Sequence, residues 1–309
     1  MNAALRGVAS WWGHCEDQWH RFWFTPAEPH TLALMRLLAG GMLFYTHLVW
    51  ALDLRAFFGP DAWLPTETGA AWSRFSWTPM WHIRSMPLLW MVHLAGMAVI
   101  GMAAVGWHTR VTSKLAWLVA LAYVHRQHGA LFGLDQVNVM MAMYLAIGAG
   151  GDAYSVDRWL ARRRGEPAPP PRVSTNIAVR LLQLQLCVIY LFGGIGKAQG
   201  PSWWQGTAVW MAAASYEYQS LDMTWLVHYP MLVATLCHIT TLWEAFYCAL
   251  VWPLATRPIA LLLAVAVHGG IAMYLGMITF GIAMIIANMA FLPAPLVRTW
   301  LGGAAEKPA

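Results

Sequence analysis

Eight long runs of apolar residues dominate the chain, at about 31–52, 86–106, 111–127, 131–150, 177–196, 230–253, 257–276 and 277–293. Each is near the roughly 20 residues that a helix needs to cross the hydrocarbon layer of a bilayer, the runs at 111–127 and 277–293 being the shortest. Inside lipid no water satisfies free backbone groups, so runs of this kind form helices. The pattern predicts an all-α polytopic membrane protein with about eight transmembrane helices. The polar stretches divide by composition. Residues 1–25, rich in Trp and charge, read as an interfacial helix. The stretches 53–85 and 197–229 mix Trp, Pro and charge and read as interfacial or re-entrant segments. ARRRGEPAPPPRVS at 161–174 reads as an extended linker, and the terminal GGAAEKPA as a disordered tail. The expected organisation is an interfacial helix over 1–30, a transmembrane domain over 31–293 and a short tail over 294–309.

Composition strengthens this picture. Of the 309 residues 59% are hydrophobic and only 11% charged, where a soluble domain is about a quarter charged. Lipid is therefore the expected partner of most of the surface. The 20 tryptophans suit headgroup boundaries, where an apolar ring keeps its N–H wet. The net charge of +5 does not imply a nucleic-acid partner, because the basic residues lie between the apolar runs. Glu16 and Asp17 among Trp and His argue against a cleavable signal peptide at the start. Cys15, Cys187, Cys237 and Cys248 form no CxxC pair and read as core fillers, with no metal site expected.

The cations also set an expected orientation. With the N-terminus in the cytoplasm and spans alternating, Arg6, Arg21, Arg110, Lys114, Arg158, Arg162, Arg163, Arg164, Arg172, Arg257, Arg298 and Lys307 fall on the cytoplasmic side. Arg55, Arg74, Arg84, Arg126 and Lys197 fall outside, and Arg36 and Arg180 lie within spans. This asymmetry obeys the positive-inside rule. It places both termini in the cytoplasm and the segments around 125–128 and 197–229 on the outer side.

Charged groups within apolar helices are costly and face the bundle interior or a polar cavity. Arg36, Asp135, Arg180, Lys197 and Glu244 are such groups, with the histidines 47, 93, 238 and 268. One reading is structural, with Arg36 or Arg180 pairing Asp135 or Glu244 to lock helices together. The other is chemical. In QLQLCVIYLFGGIGKAQGPSWWQG (183–206) an apolar run ends in Gly193, Gly194 and Gly196 before Lys197. The glycines allow close helix approach or a broken helix end. Lys197 either snorkels to headgroups or points inward, where burial makes a lysine usable as a base. In HRQHGALFGLD (125–135), His125 and His128 are spaced to share a helical face. No HExxH, P-loop, GxGxxG or GxSxG motif is present.

Taken in order, these segments carry a family resemblance. Arg36 in LMRLLAGGMLF precedes DLRAFFGPDAWLP, then Arg110 in GWHTRVTSKL, RQHGALFG, AYSVDRWL ending a motif at Asp157, VIYLFGGIGKAQGPSWWQG after Arg180, and VHGGIAMYLGMITF. Over roughly residues 30–293 the chain resembles the membrane domain of vitamin K-dependent gamma-carboxylase, within the wider HTTM (horizontally transferred transmembrane) family. The resemblance implies a reduced quinone as cofactor, vitamin K hydroquinone or menaquinol, with oxygen and carbon dioxide as co-substrates. It implies that Lys197 deprotonates the hydroquinone, that His128 supports this chemistry and that His268 stands near the site. Around them Arg36, His125, Asp135, Arg180, Tyr190, Trp203, Trp204 and Glu244 are the candidate quinone-binding and cavity-ordering residues, the aromatic ones by stacking. The family's paired lysines are Gly196-Lys197 here, and its Asn before the first histidine is Gln127. Ending at Ala309, the chain has no counterpart of the carboxylase's large lumenal domain, so a smaller partner is expected, such as a peptide or secreted protein. Two other classes remain open: a haem-binding electron-transfer protein using His93, His238 or His268, and a non-enzymatic transporter, immunity protein or scaffold.

Overall fold

The computed structural model of the chain describes residues 3–72, 76–127, 129–218 and 220–301. His128 and the tail 302–309 lie outside the described residues. The main helices are α1 (Ala3–Phe24), α2 (His30–Leu52), α3 (Met86–Val105), α4 (Thr109–Arg126), α5 (Gly133–Ile147), α6 (Val156–Arg163), α7 (Val173–Gln199), α8 (Pro230–Leu250), α9 (Arg257–Tyr274), α10 (Ile278–Asn288) and α11 (Ala294–Trp300). Among the described residues no strand forms. A helix lies at each of the eight expected runs, but only α2, α3, α7, α8 and α9 are long and apolar enough to cross a membrane. The number rises to six if the bent pair Ile278–Phe291 and Ala294–Trp300 counts as one span. The reasons are local: α5 has 15 residues, about 22 Å of helix against about 30 Å of hydrocarbon. Helix α4 contains Arg110, Lys114, His125 and Arg126 in 18 residues.

The chain divides into two compact units. The first holds 1–129, 139–181 and 292–309. Here α2 and α3 approach closely at Gly40, where a Cβ would lie 2.8 Å from the Cα of Ala104. Leu43, Ile100, Ala103, Ala116 and Ala120 fill the core between α2, α3 and α4.

Arg36, in the second turn of α2, is 2% exposed. Its Nε donates to the carbonyl of Gly150 at 3.1 Å, Nη2 to Tyr154 at 2.6 Å, and Nη1 to both Ala103 and Ala104. These last carbonyls belong to the final turn of α3, where intrahelical donors run short and the helix has negative dipole character. Gly106 ends the helix in the left-handed region at φ 76°, with its N–H turned back to Met102 and Ala103. Any Cβ there would meet Ser155 Cβ at 2.5 Å and Arg36 Nη1 at 2.7 Å. Next to it Asp157 caps α4, accepting from the N–H of His108 and Thr109, both at 2.8 Å, and from Thr109 Oγ1 at 2.7 Å.

Between α2 and α3 the chain forms short helices at Leu54–Phe58 and Thr66–Trp72 and a 3-10 turn at Pro79–His82, as befits an interfacial segment. Arg126, counted in the sequence as a topology signal, is 1% exposed and holds this segment instead. It donates to Leu64 O at 3.1 Å and Thr66 Oγ1 at 3.2 Å, and Gln127 donates to Phe57 O. The linker is shorter than expected. Helix α6 runs to Arg163, and Ala27 bridges Arg172, whose guanidinium pairs with Asp152 at 2.5 Å.

The second unit holds 130–138 and 182–291, and so the end of α7 with α8, α9 and α10. Helix α7 continues unbroken through its glycines to Gln199. Gly194 serves close approach, since a Cβ there would collide with the backbone of Ala245 on α8. Ala213, Leu226, Val233 and Cys237 form a small core, and all four cysteines are free. Phe192, Phe246 and Leu262 are exposed on their helices, as lipid-facing side chains are.

Two measurements check this account. Arg36→Ala leaves four carbonyls without their donor and is expected to cost about 3 kcal/mol, read as a lower thermal midpoint in detergent; an unchanged midpoint would show that the clamp is not structural. For Asp157, burial raises the carboxyl pKa, but hydrogen bonds from Thr109 and His108 outweigh it and hold the value below the ordinary one. A depressed folded-state pKa gives stability that is full above the unfolded value of about 3.9 and is lost as pH falls below it. Asp157→Asn is therefore expected to lower stability at neutral pH and to flatten its decline through that acid range.

Candidate functional site

The second unit gathers the polar side chains of three helices. Lys197 stands in the last turn of α7 and Glu244 in the middle of α8. Their Nζ and Oε2 are 2.5 Å apart, with side chains 24% and 9% exposed. The glycines of α7 make this pairing possible: a Cβ on Gly193 would lie 3.0 Å from Glu244 Oε2. The Lys197 ammonium also stands 5.2 Å from the ring centroid of Trp203, on the short helix Pro201–Trp204, at cation–π range.

Deeper along the same helices Tyr190 is 2% exposed and His268, on α9, is 4% exposed. Tyr190 Oη and His268 Nε2 are 2.8 Å apart. Trp243 and Tyr247 pack on Tyr190 with ring centroids at 4.9 and 4.1 Å. Asn288 at the end of α10 donates to Tyr190 Oη and accepts from Tyr247 Oη, each at 2.7 Å. His268 lies within electrostatic range of Lys197, and Tyr190 of Glu244. One partly exposed ion pair thus adjoins a buried hydrogen-bonded chain.

Of the residues singled out in the sequence, Lys197, Glu244, Trp203, Tyr190 and His268 come together here. Tyr190 was expected to stack on a ligand; instead its ring is enclosed by protein and its hydroxyl is occupied at both sides. Trp204 neighbours the pair in sequence, but its Nε1 donates to Ala198 O at 2.5 Å and its backbone carbonyl meets His238 Nε2 at 3.1 Å. Asp135 belongs to the second unit and caps α5, accepting from Phe132 N at 2.9 Å.

Arg36, Arg180 and His125 belong to the first unit. Arg180 lies over the Phe22 ring at 4.5 Å and donates to Phe22 O at 3.3 Å, tying α1 to α7. His125 Nδ1 meets Trp77 O at 2.9 Å. Where the sequence suggested that Arg36 or Arg180 pairs with Asp135 or Glu244, Glu244 instead pairs with Lys197 and the two arginines donate to backbone carbonyls. His93 has both ring nitrogens engaged, Nδ1 with Tyr123 Oη at 2.7 Å and Nε2 with His47 O at 3.0 Å, so as it stands it offers no nitrogen to a haem iron.

Asn288 and Tyr247 complete this chain without being charged or histidine residues; their sequence signal is the asparagine amide inside the apolar run MIIANMAF, which is costly unless bonded.

The ion pair makes a stability test possible. Lys197→Met leaves Glu244 as an unpaired, largely buried carboxylate and is expected to destabilise by about 3 kcal/mol. Adding Glu244→Leu is expected to recover most of that loss in thermal unfolding. Additive losses in the double variant would mean that the two side chains do not interact.

Comparison with curated proteins and with solved structures returned no match. The family model described as the HTTM domain matches residues 24–295, a stretch that takes in every helix of the site, and the chain belongs to the HTTM family.

Proposed function

We propose that this integral membrane protein is an enzyme that uses a reduced quinone and oxygen, in the manner of the gamma-carboxylase membrane domain that it resembles. The observation that carries the reading is the Lys197–Glu244 pair, 2.5 Å apart, on two helices long and apolar enough to span a bilayer. Intramembrane ion pairs of this kind mark substrate and proton pathways. The surrounding groups fit an aromatic ring bearing oxygens. Trp203 offers a flat face beside the ammonium, and His268 has a buried ring nitrogen, Nδ1, with no partner among the described residues.

Bound there, a hydroquinone such as that of vitamin K or menaquinone would supply a hydroxyl proton and two electrons for reaction with oxygen. The pair acts as a unit in receiving that proton. Lys197 keeps positive charge against a ligand oxygen as it loses its proton, and Glu244 accepts a proton through Lys197, so the base is the pair rather than the amine alone. At the end of α7 Lys197 meets a ligand that enters sideways from lipid with its polar head at the interface. The cation asymmetry orients this end of α7 to the outer face, with both termini in the cytoplasm. The free energy of quinol oxidation by oxygen supplies a base strong enough to take a carbon-bound proton from a second substrate, such as a peptide or secreted protein, and the carbon left behind adds carbon dioxide in the carboxylase-like outcome.

The test is direct. Purified protein in nanodiscs is given reduced vitamin K or menaquinol with oxygen, and epoxide is followed by mass spectrometry. Wild type is expected to form epoxide and Lys197→Ala to lose at least 100-fold of that rate, on the order of a general acid–base contribution. Equal turnover by the variant, or none by either protein, would rule the enzyme reading out in this form.

A further inference from the structure

The hydrogen bonds behind His268 have a direction that the donor and acceptor inventory fixes. The chain starts at a group that can only accept, the Met284 carbonyl, 2.8 Å from Asn288 Nδ2. That contact identifies the amide nitrogen and so the orientation of the side chain. The other Nδ2 hydrogen goes to Tyr190 Oη at 2.7 Å, while Oδ1 accepts from Tyr247 Oη at 2.7 Å. Tyr190 Oη receives one hydrogen from Asn288 and has its own to give. Its remaining partner among the described residues is His268 Nε2, at 2.8 Å. The imidazole therefore accepts at Nε2, and in the neutral ring the hydrogen sits on Nδ1.

That Nδ1 is buried without a protein partner, in a side chain enclosed by Tyr190, Trp243 and Phe280. A buried donor left unsatisfied costs about 1–3 kcal/mol. The polar chain behind it is satisfied at every atom that the argument uses. Its effect is to leave a single donor over, at one defined atom, on a residue within electrostatic range of Lys197.

We propose that Tyr247, Asn288 and Tyr190 are positioning residues which lock His268 in the Nδ1–H tautomer, so that it donates to an acceptor oxygen of the site's ligand. The ligand class this selects carries a carbonyl or phenolic oxygen on an aromatic ring and does not present an N–H or O–H hydrogen to this nitrogen. The proposal rests on the quinone reading given above. It adds to that reading the polarity of one contact and three residues that act through another.

The test has two readouts. Nitrogen NMR of histidine-labelled protein in nanodiscs reports which ring nitrogen bears hydrogen, with the His268 signals identified by their loss in His268→Gln. Wild type is expected to show hydrogen on Nδ1. Asn288→Asp gives no hydrogen to Tyr190 and competes for the tyrosine's own, so the His268 hydrogen is expected to move to Nε2. Tyr190→Phe, nearly equal in volume, removes the donor outright and serves if the aspartate variant fails to fold. The second readout is binding of 2-methyl-1,4-naphthoquinone, followed by quenching of tryptophan fluorescence. Both variants are expected to bind about tenfold more weakly than wild type, the size of one hydrogen bond.

Hydrogen on Nε2 in wild type would overturn the proposal whatever binds. The expected tautomers with unchanged binding in the variants would overturn it and leave the quinone reading standing. Absence of naphthoquinone binding by wild type would overturn both.

Discussion

A polar group placed in hydrocarbon has no water to turn to, and each feature of this protein that departs from plain apolar packing answers to that constraint. Arg36 shows it most fully. A guanidinium within a spanning helix is costly to bury, yet four backbone carbonyls receive it. Two of them close the last turn of α3, where intrahelical donors run short. The charge and the helix end cancel each other's deficits. Arg126 does the same for the segment after α2, and Asp157 does the complementary service for the N–H groups that open α4.

Against that background the second unit is distinct. Lys197 and Glu244 face each other instead of the backbone, and beside them a chain of polar groups runs from Tyr247 through Asn288 and Tyr190 to His268. Among the described residues this network leaves one buried nitrogen without a partner, His268 Nδ1.

Small residues make the arrangement possible. Lipid provides little drive to press helices together, so close approach depends on van der Waals contact. Gly40 admits α3 to α2, and Gly194 admits α8 to α7. Gly193 leaves the room in which Glu244 reaches Lys197. The glycines before Lys197 therefore serve the pairing by what they lack.

What the sequence determined by itself was the membrane class, the helix positions and the family, because the apolar run and the order of motifs are properties of the chain taken linearly. It also marked Lys197, Glu244, Tyr190, Trp203 and His268 as residues of interest. It did not determine which runs are long and apolar enough to span, because α4 and α5 fall short through a few cations and a few residues. Nor did it tell Arg36 from a site residue, since a buried guanidinium reads alike whether its partner is a ligand or a carbonyl far along the chain. Only the tertiary structure decided that Glu244 belongs to Lys197 and that Asn288 orients Tyr190 and through it His268. Those pairings join residues 47, 98 and 78 positions apart. No local rule of spacing reaches that far; the packing of four helices does.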